Sequence, residues 1–246
     1  MSATLTKPTV ADYQAIFDAE RVKEYPIVDA FEQRMAYAID RSKLEAAARV
    51  LACPLKKSPP NWQHGRVLYA VARKYWQEHA SECHLSVDIG TAKGFSALCA
   101  VWARLDSEAP VSLVWSCDVI DPDARVSRNT VAEVDGLKTL SETLEPWPEA
   151  ISIEFWKMTG VELLKHASKQ GQRIGIAFVD GKHSGHVVAE EGHLLSLLQR
   201  PGDLVIFDDV HLDDVNKAVI SLSDLYELET LRILPNRAYA IGVRRG

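Results

Sequence analysis

The chain has no apolar run long enough to cross a bilayer, and its opening, MSATLTKPTV, lacks the basic-then-apolar layout of a secretory signal. Positive charge is not in excess. Lys and Arg number 28 against 34 Asp and Glu, leaving a formal net charge of −6, which argues against a general nucleic-acid or membrane-binding surface. Cysteine is scarce: Cys53, Cys83, Cys99 and Cys117 share no metal-ligand spacing. Cys99 and Cys117 fall inside apolar segments, as expected for buried thiols in a reducing compartment. Internal repeats and low-complexity segments are missing too. These absences lead us to expect a cytoplasmic protein that engages neither nucleic acid nor membrane.

What is present is an ordinary globular composition, 47% apolar and 25% charged over 246 residues, enough for one α/β domain with a helical extension. The first eighty residues have the three-to-four spacing of helices. VADYQAIFDAERVKEY and DAFEQRMAYAIDRSKLEAAARVLA are divided around Pro26, and WQHGRVLYAVARKYWQEHA follows the breaker-rich link CPLKKSPPN. From residue 84 the rhythm changes. HLSVDIG, VSLVWSCD, ISIEF, IGIAFVD and DLVIFDD are short runs rich in β-branched and aromatic residues, each ending in Gly, Asp or a polar cluster. Segments 94–105, 123–140, 159–170, 184–199 and 212–227 are long enough for helices between them. Such alternation implies right-handed βαβ units and a parallel sheet covered on both faces. TLRILPNRAYAIGVRR closes the chain as two strand-like runs joined through PN, an antiparallel hairpin. The expected division is a helical cap over 1–80 and an α/β domain over 81–246.

VDIGTAKGFSALCAVWARL runs from strand through a glycine turn into a helix. In open α/β sheets ligands bind beyond the carboxyl ends of the strands. Gly90 and Gly94 let backbone approach a ligand, and the amides opening the next helix favour a carboxylate or phosphate. Asp88 can accept from a ligand ammonium or hold the loop. Ala92 stands where a dinucleotide fingerprint has its middle glycine, which counts against NAD.

VDIGTAKGFSAL resembles the first motif of class I S-adenosylmethionine-dependent methyltransferases, and is most similar to small-molecule O-methyltransferases of the catechol and caffeoyl-CoA type. The resemblance covers roughly residues 84–244, including the terminal hairpin, and more loosely NWQHGRVLYAVA, which lies where that group has its cofactor-covering helix. It implies a Rossmann-like seven-stranded sheet, mostly parallel, preceded by the helical cap. It also implies that Gly90, Thr91, Gly94 and Ser96 meet the amino-acid end of the cofactor, with Asp88 nearby. The second strand ends in VWSCDVIDPD, so Asp118, with Asp121 as second candidate, would take the ribose diol; a carboxylate can accept from both hydroxyls. Around the adenine, FWKMTGVELL offers Met158 and Thr159 where the family often has an acid and a small residue.

IAFVDGKHSGHVVAEEGHLLSLLQRPGDLVIFDDV resembles a metal-dependent branch of the family that includes macrolide-sugar methyltransferases and cephalosporin-biosynthesis-like proteins. Its pattern appears as Asp180, Gly181, His183 and Ser184, then Pro201, Gly202, Asp208 and Asp209. Asp203 replaces the usual second glycine, a change expected in a surface turn. Neighbouring parallel strands lie about 5 Å apart, so Asp180 falls within one cation's reach of Asp208 and Asp209. Clustered carboxylates without a cation repel one another, and oxygen ligation suits Mg²⁺ or a similar ion. A metal there would bind and acidify a substrate hydroxyl, and His183 is the natural general base, Lys182 the weaker one.

Other candidates carry bland alternatives. Asp180, Asp208 and Asp209 could merely cap a helix and end a strand, as could Asp118. His186, Glu190 and His193 share one helical face and suit solvation better than a metal. His211 can line the pocket, while Trp62, His64 and Trp76 either cover a ligand or pack between helices. The expected function is therefore methyl transfer from S-adenosylmethionine to a hydroxyl of a small molecule, assisted by a divalent metal. The alternatives are a non-catalytic S-adenosylmethionine-binding module and an NAD-dependent oxidoreductase. The apolar cap helices are compatible with a homodimer.

Overall fold

The computed structural model describes residues 7–54, 60–79, 84–108 and 113–246. Its sheet is built from β1 (Leu85–Ile89), β2 (Val114–Asp118), β3 (Ile153–Lys157), β4 (Ile174–Val179), β5 (Leu204–Phe207), β6 (Tyr226–Leu234) and β7 (Arg237–Arg244). They lie in the order β3-β2-β1-β4-β5-β7-β6. The first five run parallel, β7 pairs antiparallel with β5, and β6 closes the edge as the hairpin partner of β7. The order reverses at β1, so the ends of β1, β2 and β4 converge on one crevice.

The central parallel strands β1, β2, β4 and β5 are buried on both faces, which explains their nearly unbroken apolar sequences, while the edge strands β3 and β6 are partly exposed. Along β4, Ile176 and Phe178 join one hydrophobic cluster while Ala177 and Val179 join the other. The first cluster is completed by α5 (Phe95–Asp106) and by the cap helices α1 (Val10–Arg21), α2 (Pro26–Met35), α3 (Arg41–Leu51) and α4 (Gln63–Glu78). The second is completed by α7 (Gly160–Lys169), α8 (Gly185–Leu198) and α9 (Asp213–Ile220). Cap and sheet thus share one apolar core, with Phe31, Trp102 and Phe178 in the same cluster. The boundary expected at residues 80 and 81 lies outside the described residues.

Three expectations need correction. The long cap segment is not one helix: Ala36 takes a left-handed φ of 64° and ends α2, and Asp40 caps α3 by accepting from the Lys43 amide at 2.8 Å. Segment 123–140 is not helical. It holds a two-residue antiparallel pair, Val126–Ser127 with Leu137–Lys138, before the short α6 (Leu140–Leu144). Its turn formers prevail: the Thr130 hydroxyl accepts from the amides of Ala132 and Glu133, and Asp135 has φ 66°. Asp203 is not a surface residue either. It is fully buried, with Arg173 forked onto both its oxygens at 2.6 and 3.0 Å and Tyr75 donating to it at 2.7 Å. An ion pair that dry stays in place only with such saturation. Cys53, Cys99 and Cys117 are buried free thiols; Cys83 and residues 55–59 of the interhelical link lie outside the described residues.

Candidate active site

Each parallel strand hands its last residues to the crevice because the ladder continues just past its end. The Asp180 amide donates to the Ile89 carbonyl at 2.8 Å, the Asp208 amide to Val179 at 3.0 Å, and the Gly90 amide to Cys117 at 2.9 Å. These bonds draw the β1 loop, Asp180 and Asp208 to one level. Gly90 is obligatory in this arrangement: its φ is 103°, and a Cβ would stand 2.3 Å from the Asp180 carbonyl oxygen. Gly94, at φ 84°, opens α5 against Leu144. The result is a cleft of about 210 Å³ between cap and sheet, lined by Gly90–Lys93, Phe95 and Ser96, by Asn61 and His64 of the cap, and by Asp180, Asp208 and Arg237. A small adjoining recess runs past Thr91 and Ala92 to Asp118, Arg128 and Trp156.

Of the residues expected to hold a cofactor, Gly90, Thr91, Ser96 and Asp118 border these two spaces, and Gly94 shapes the loop. Asp88 lies beneath the loop, 1% exposed, where Ser116 donates to it at 2.5 Å and Thr91 lies 2.6 Å from the same Ser116 hydroxyl. Burial pushes its carboxyl up to about 6, against hydrogen bonds from Ser116 and Ser96. Asp88 thus holds the loop from within. Asp118 accepts from the Ala92 amide at 2.9 Å and from Ile120 at 3.0 Å, while keeping further lone pairs in the recess. Asp121 is half-buried, pairs with Lys157 at 3.3 Å and borders neither space. Thr159 caps α7 in a reciprocal capping box with Glu162 and lines neither space. Arg128, which the sequence reading missed, donates to the Ala92 carbonyl at 2.8 Å and closes the recess.

The acidic residues at these strand ends have a cation of their own. Asp180, Asp208 and Asp209 meet at the ends of β4 and β5, and Arg237, opening β7, inserts between them. Its Nη1 lies 2.9 Å from Asp209 Oδ1 and 3.6 Å from Asp208 Oδ2. Sequence reasoning could have found it: β7 runs antiparallel to β5, with Phe207 opposite Ala240, so the residue just after the PN turn must fall beside the end of β5. Asp209 takes a left-handed φ of 56°, and its amide donates to Asp208 Oδ1 at 2.6 Å. Such backbone is costly for a residue other than glycine and concentrates at functional sites.

Burial, then the charges of Asp208 and Asp209, hold the Asp180 carboxyl well above the usual range. Burial likewise raises Asp208 to about 6, Arg237 opposing. Asp209 goes the other way. Burial would raise it, but hydrogen bonding from His183 and the charges of Arg237, His183 and His211 bring it below its ordinary value. His183 Nδ1 stands 3.0 Å from Asp209 Oδ2, with the ring about half exposed. Asp180, His183 and Asp209 offer ligand atoms all within 4.8 Å of one another. The two carboxylates of this set, with Asp208 beside them, supply oxygen donors that suit a divalent cation, and the imidazole need not be one of the ligands.

The remaining candidates separate cleanly. His186, Glu190 and His193 are exposed on α8, paired with Ser184, Lys165 and their own helix respectively. His211 lies beside Asp209 at 3.7 Å. Trp62 stacks on Phe17 and Trp76 is buried beside Tyr75 and His84, so only His64 of the three reaches the cleft. It is held by Phe178 and Phe95.

The strand order, the crevice at the β1 turn and the antiparallel terminal hairpin define a class I methyltransferase fold. Residues 87–210, a little over half of the chain, match the family model described as methyltransferase domain, and the chain belongs to that family. Among solved structures, the O-methyltransferase TomG from Streptomyces achromogenes, involved in tomaymycin synthesis and solved with SAM, is 17% identical with a TM-score of 0.57. The match covers 94% of this chain and 95% of that one. An O-methyltransferase from Bacillus cereus, in complex with SAH, is 14% identical with a TM-score of 0.53 over 95% and 97% of the two chains. A putative O-methyltransferase from Klebsiella pneumoniae is 14% identical, TM-score 0.56, over 96% and 97%. At such identities the likeness is one of fold, and it extends through the cap. No curated protein sequence matches the chain. Among the described residues, no helix is long and apolar enough to cross a membrane.

Proposed function

We propose that the protein transfers a methyl group from S-adenosylmethionine to a hydroxyl of a small molecule, with a divalent cation such as Mg²⁺ assisting. The observation that carries this reading is one cleft lined by the glycine loop and by Asp180, Asp208 and Arg237, with His183 and Asp209 grouped beside Asp180. O-methyltransferases of the same fold, TomG with SAM and the Bacillus cereus enzyme with SAH, support it. In this reading the cap, 1–80, closes the cleft over the methyltransferase domain, 81–246.

The glycine loop and the α5 amides receive the amino-acid end of the cofactor, and Asp118 accepts from the ribose hydroxyls beyond Ala92. The acceptor enters between His64, Asn61 and the acidic cluster. Asp180, Asp208 and Asp209 would hold the cation, which supplies Lewis acidity to the acceptor hydroxyl. His183, whose Nδ1 lies against Asp209 Oδ2, would take the acceptor proton as a general base oriented by a carboxylate. In-line transfer of a methyl from a sulfonium needs little beyond this positioning and a deprotonated oxygen.

Calorimetry with S-adenosylmethionine, S-adenosylhomocysteine and NADH, followed by a methyl-transfer screen of hydroxylated metabolites with and without EDTA, tests the proposal. We expect binding of the first two ligands only and turnover that EDTA suppresses. NADH binding in their place would refute methyl transfer, and cofactor binding with no turnover of any acceptor would favour a non-catalytic module.

A further inference from the structure

We propose that Arg237 is a built-in cation of the acidic cluster, which competes with a divalent ion for the same carboxylates and so sets how weakly the site binds that ion. The proposal rests on the metal-assisted reading above and adds a residue to it that neither the motifs nor the resemblance predicted.

Every carboxylate oxygen of the β5 end already has a partner. Asp209 Oδ1 faces Arg237 at 2.9 Å and its Oδ2 faces His183 at 3.0 Å. Asp208 Oδ1 accepts from the Asp209 amide at 2.6 Å and its Oδ2 faces Arg237 at 3.6 Å. Asp180 borders the cleft beside them. A divalent ion drawing on Asp180 and Asp209 must therefore displace Arg237 or His183 from Asp209, or share an oxygen with a positive neighbour a few ångströms away. The Arg237 backbone is poorly placed to yield, so only its guanidinium can move. The residue is only 20% exposed, and it opens the strand whose Ala238 carbonyl accepts from the Val210 amide at 3.2 Å, so its backbone is tied to the same turn that carries Asp208 and Asp209. Its side chain also lines both the main cleft and a neighbouring recess of about 50 Å³ bounded by Glu20, Tyr25 and Asn236. That recess gives the guanidinium somewhere to go when an ion arrives. Cations crowded into a half-buried site repel strongly, since the low local dielectric magnifies each charge.

Manganese binding reads the competition directly, without an acceptor. Mn²⁺ affinity is measured by calorimetry and by the paramagnetic signal of free Mn²⁺ for the full-length wild type, Arg237→Gln and Arg237→Lys. Each protein is first shown to unfold cooperatively. Arg237→Gln should bind Mn²⁺ on the order of tenfold more tightly than wild type, because one positive charge has left the cluster. Arg237→Lys, a point charge that cannot fork between two carboxylates, should fall between them. Mg²⁺ should raise the unfolding temperature of Arg237→Gln more than that of wild type. Mn²⁺ binding with equal or weaker affinity in the variants would overturn the role of Arg237 and leave the metal reading standing; should the Gln variant not fold, the Lys variant decides alone. If no form binds Mn²⁺ at all, the metal-assisted reading falls, and this proposal with it.

Discussion

Glu191 offers a sharp test of the physics because it is buried without a countercharge. It lies on α8, 1% exposed, with Oε2 lacking any hydrogen-bond partner among the described residues. Its other oxygen crowds Gly160 so closely that a Cβ there would stand 2.2 Å away. Burial, reinforced by the charge of Glu190, pushes its carboxyl up from 4.5 to about 7. A folded-state value above the unfolded one means that the native protein holds a proton the unfolded chain has released. Stability is therefore fully present below about pH 4.5 and is lost as pH rises toward 7. At roughly 1.4 kcal/mol per pH unit, the full rise amounts to about 3 kcal/mol. Glu191→Gln keeps the shape and removes the titration. Its unfolding temperature should match wild type near pH 4.5 and exceed it by pH 8, with about 2–4 °C for each kcal/mol in a chain of this size. Thermal unfolding by circular dichroism from pH 4.5 to 8 measures the difference, and the other raised carboxyls cancel between the two proteins. Parallel curves would refute the argument, since they would mean that Glu191 is solvated or paired in solution.

Asp118→Ala should weaken S-adenosylhomocysteine binding by about 2 kcal/mol, the loss of charge-assisted hydrogen bonds, with Asp118→Asn losing less; unchanged calorimetric affinity would end the ribose assignment. His183→Ala should lower turnover by roughly 10²–10⁴-fold while cofactor binding survives, and exposed His186→Ala should behave as wild type. Full activity of His183→Ala from pH 6 to 9 would shift the base elsewhere. Gly90→Ala should cost about 2 kcal/mol or more in stability, because it combines a φ of 103° with a collision against the Asp180 carbonyl; a denaturant melt coincident with wild type would contradict the closeness of the β1 and β4 ends.

Much of the fold was legible because burial writes itself into local sequence. Strands covered on both faces must be apolar throughout, so DLVIFDD and IGIAFVD announce themselves and their polar ends mark the crevice. The glycine loop was equally plain, since a backbone at φ 103° beside another strand's carbonyl tolerates nothing else. Asp180, Asp208 and Asp209 stand at the ends of neighbouring parallel strands, as the polar ends of the two runs imply, and His183 joins Asp180 and Asp209 there. Segment 123–140 misled because helix length alone was weighed there, while Thr130, Asp135 and Gly136 favour turns.

The sequence by itself determined which elements form and which residues stand at strand ends, since periodicity and turn chemistry act over a few neighbouring residues. Only the tertiary structure decided what those residues face. Asp203, expected in a surface turn, is buried because Arg173 and Tyr75 arrive from β4's approach and from the cap. Thr159 also caps a helix, with Glu162 closing the capping box on it. Asp209 meets Arg237 across a register that pairs β5 with β7, some thirty residues apart in the chain and 2.9 Å apart in space. Charge neutralisation is a property of distances, and distances between remote residues exist only after the sheet has closed.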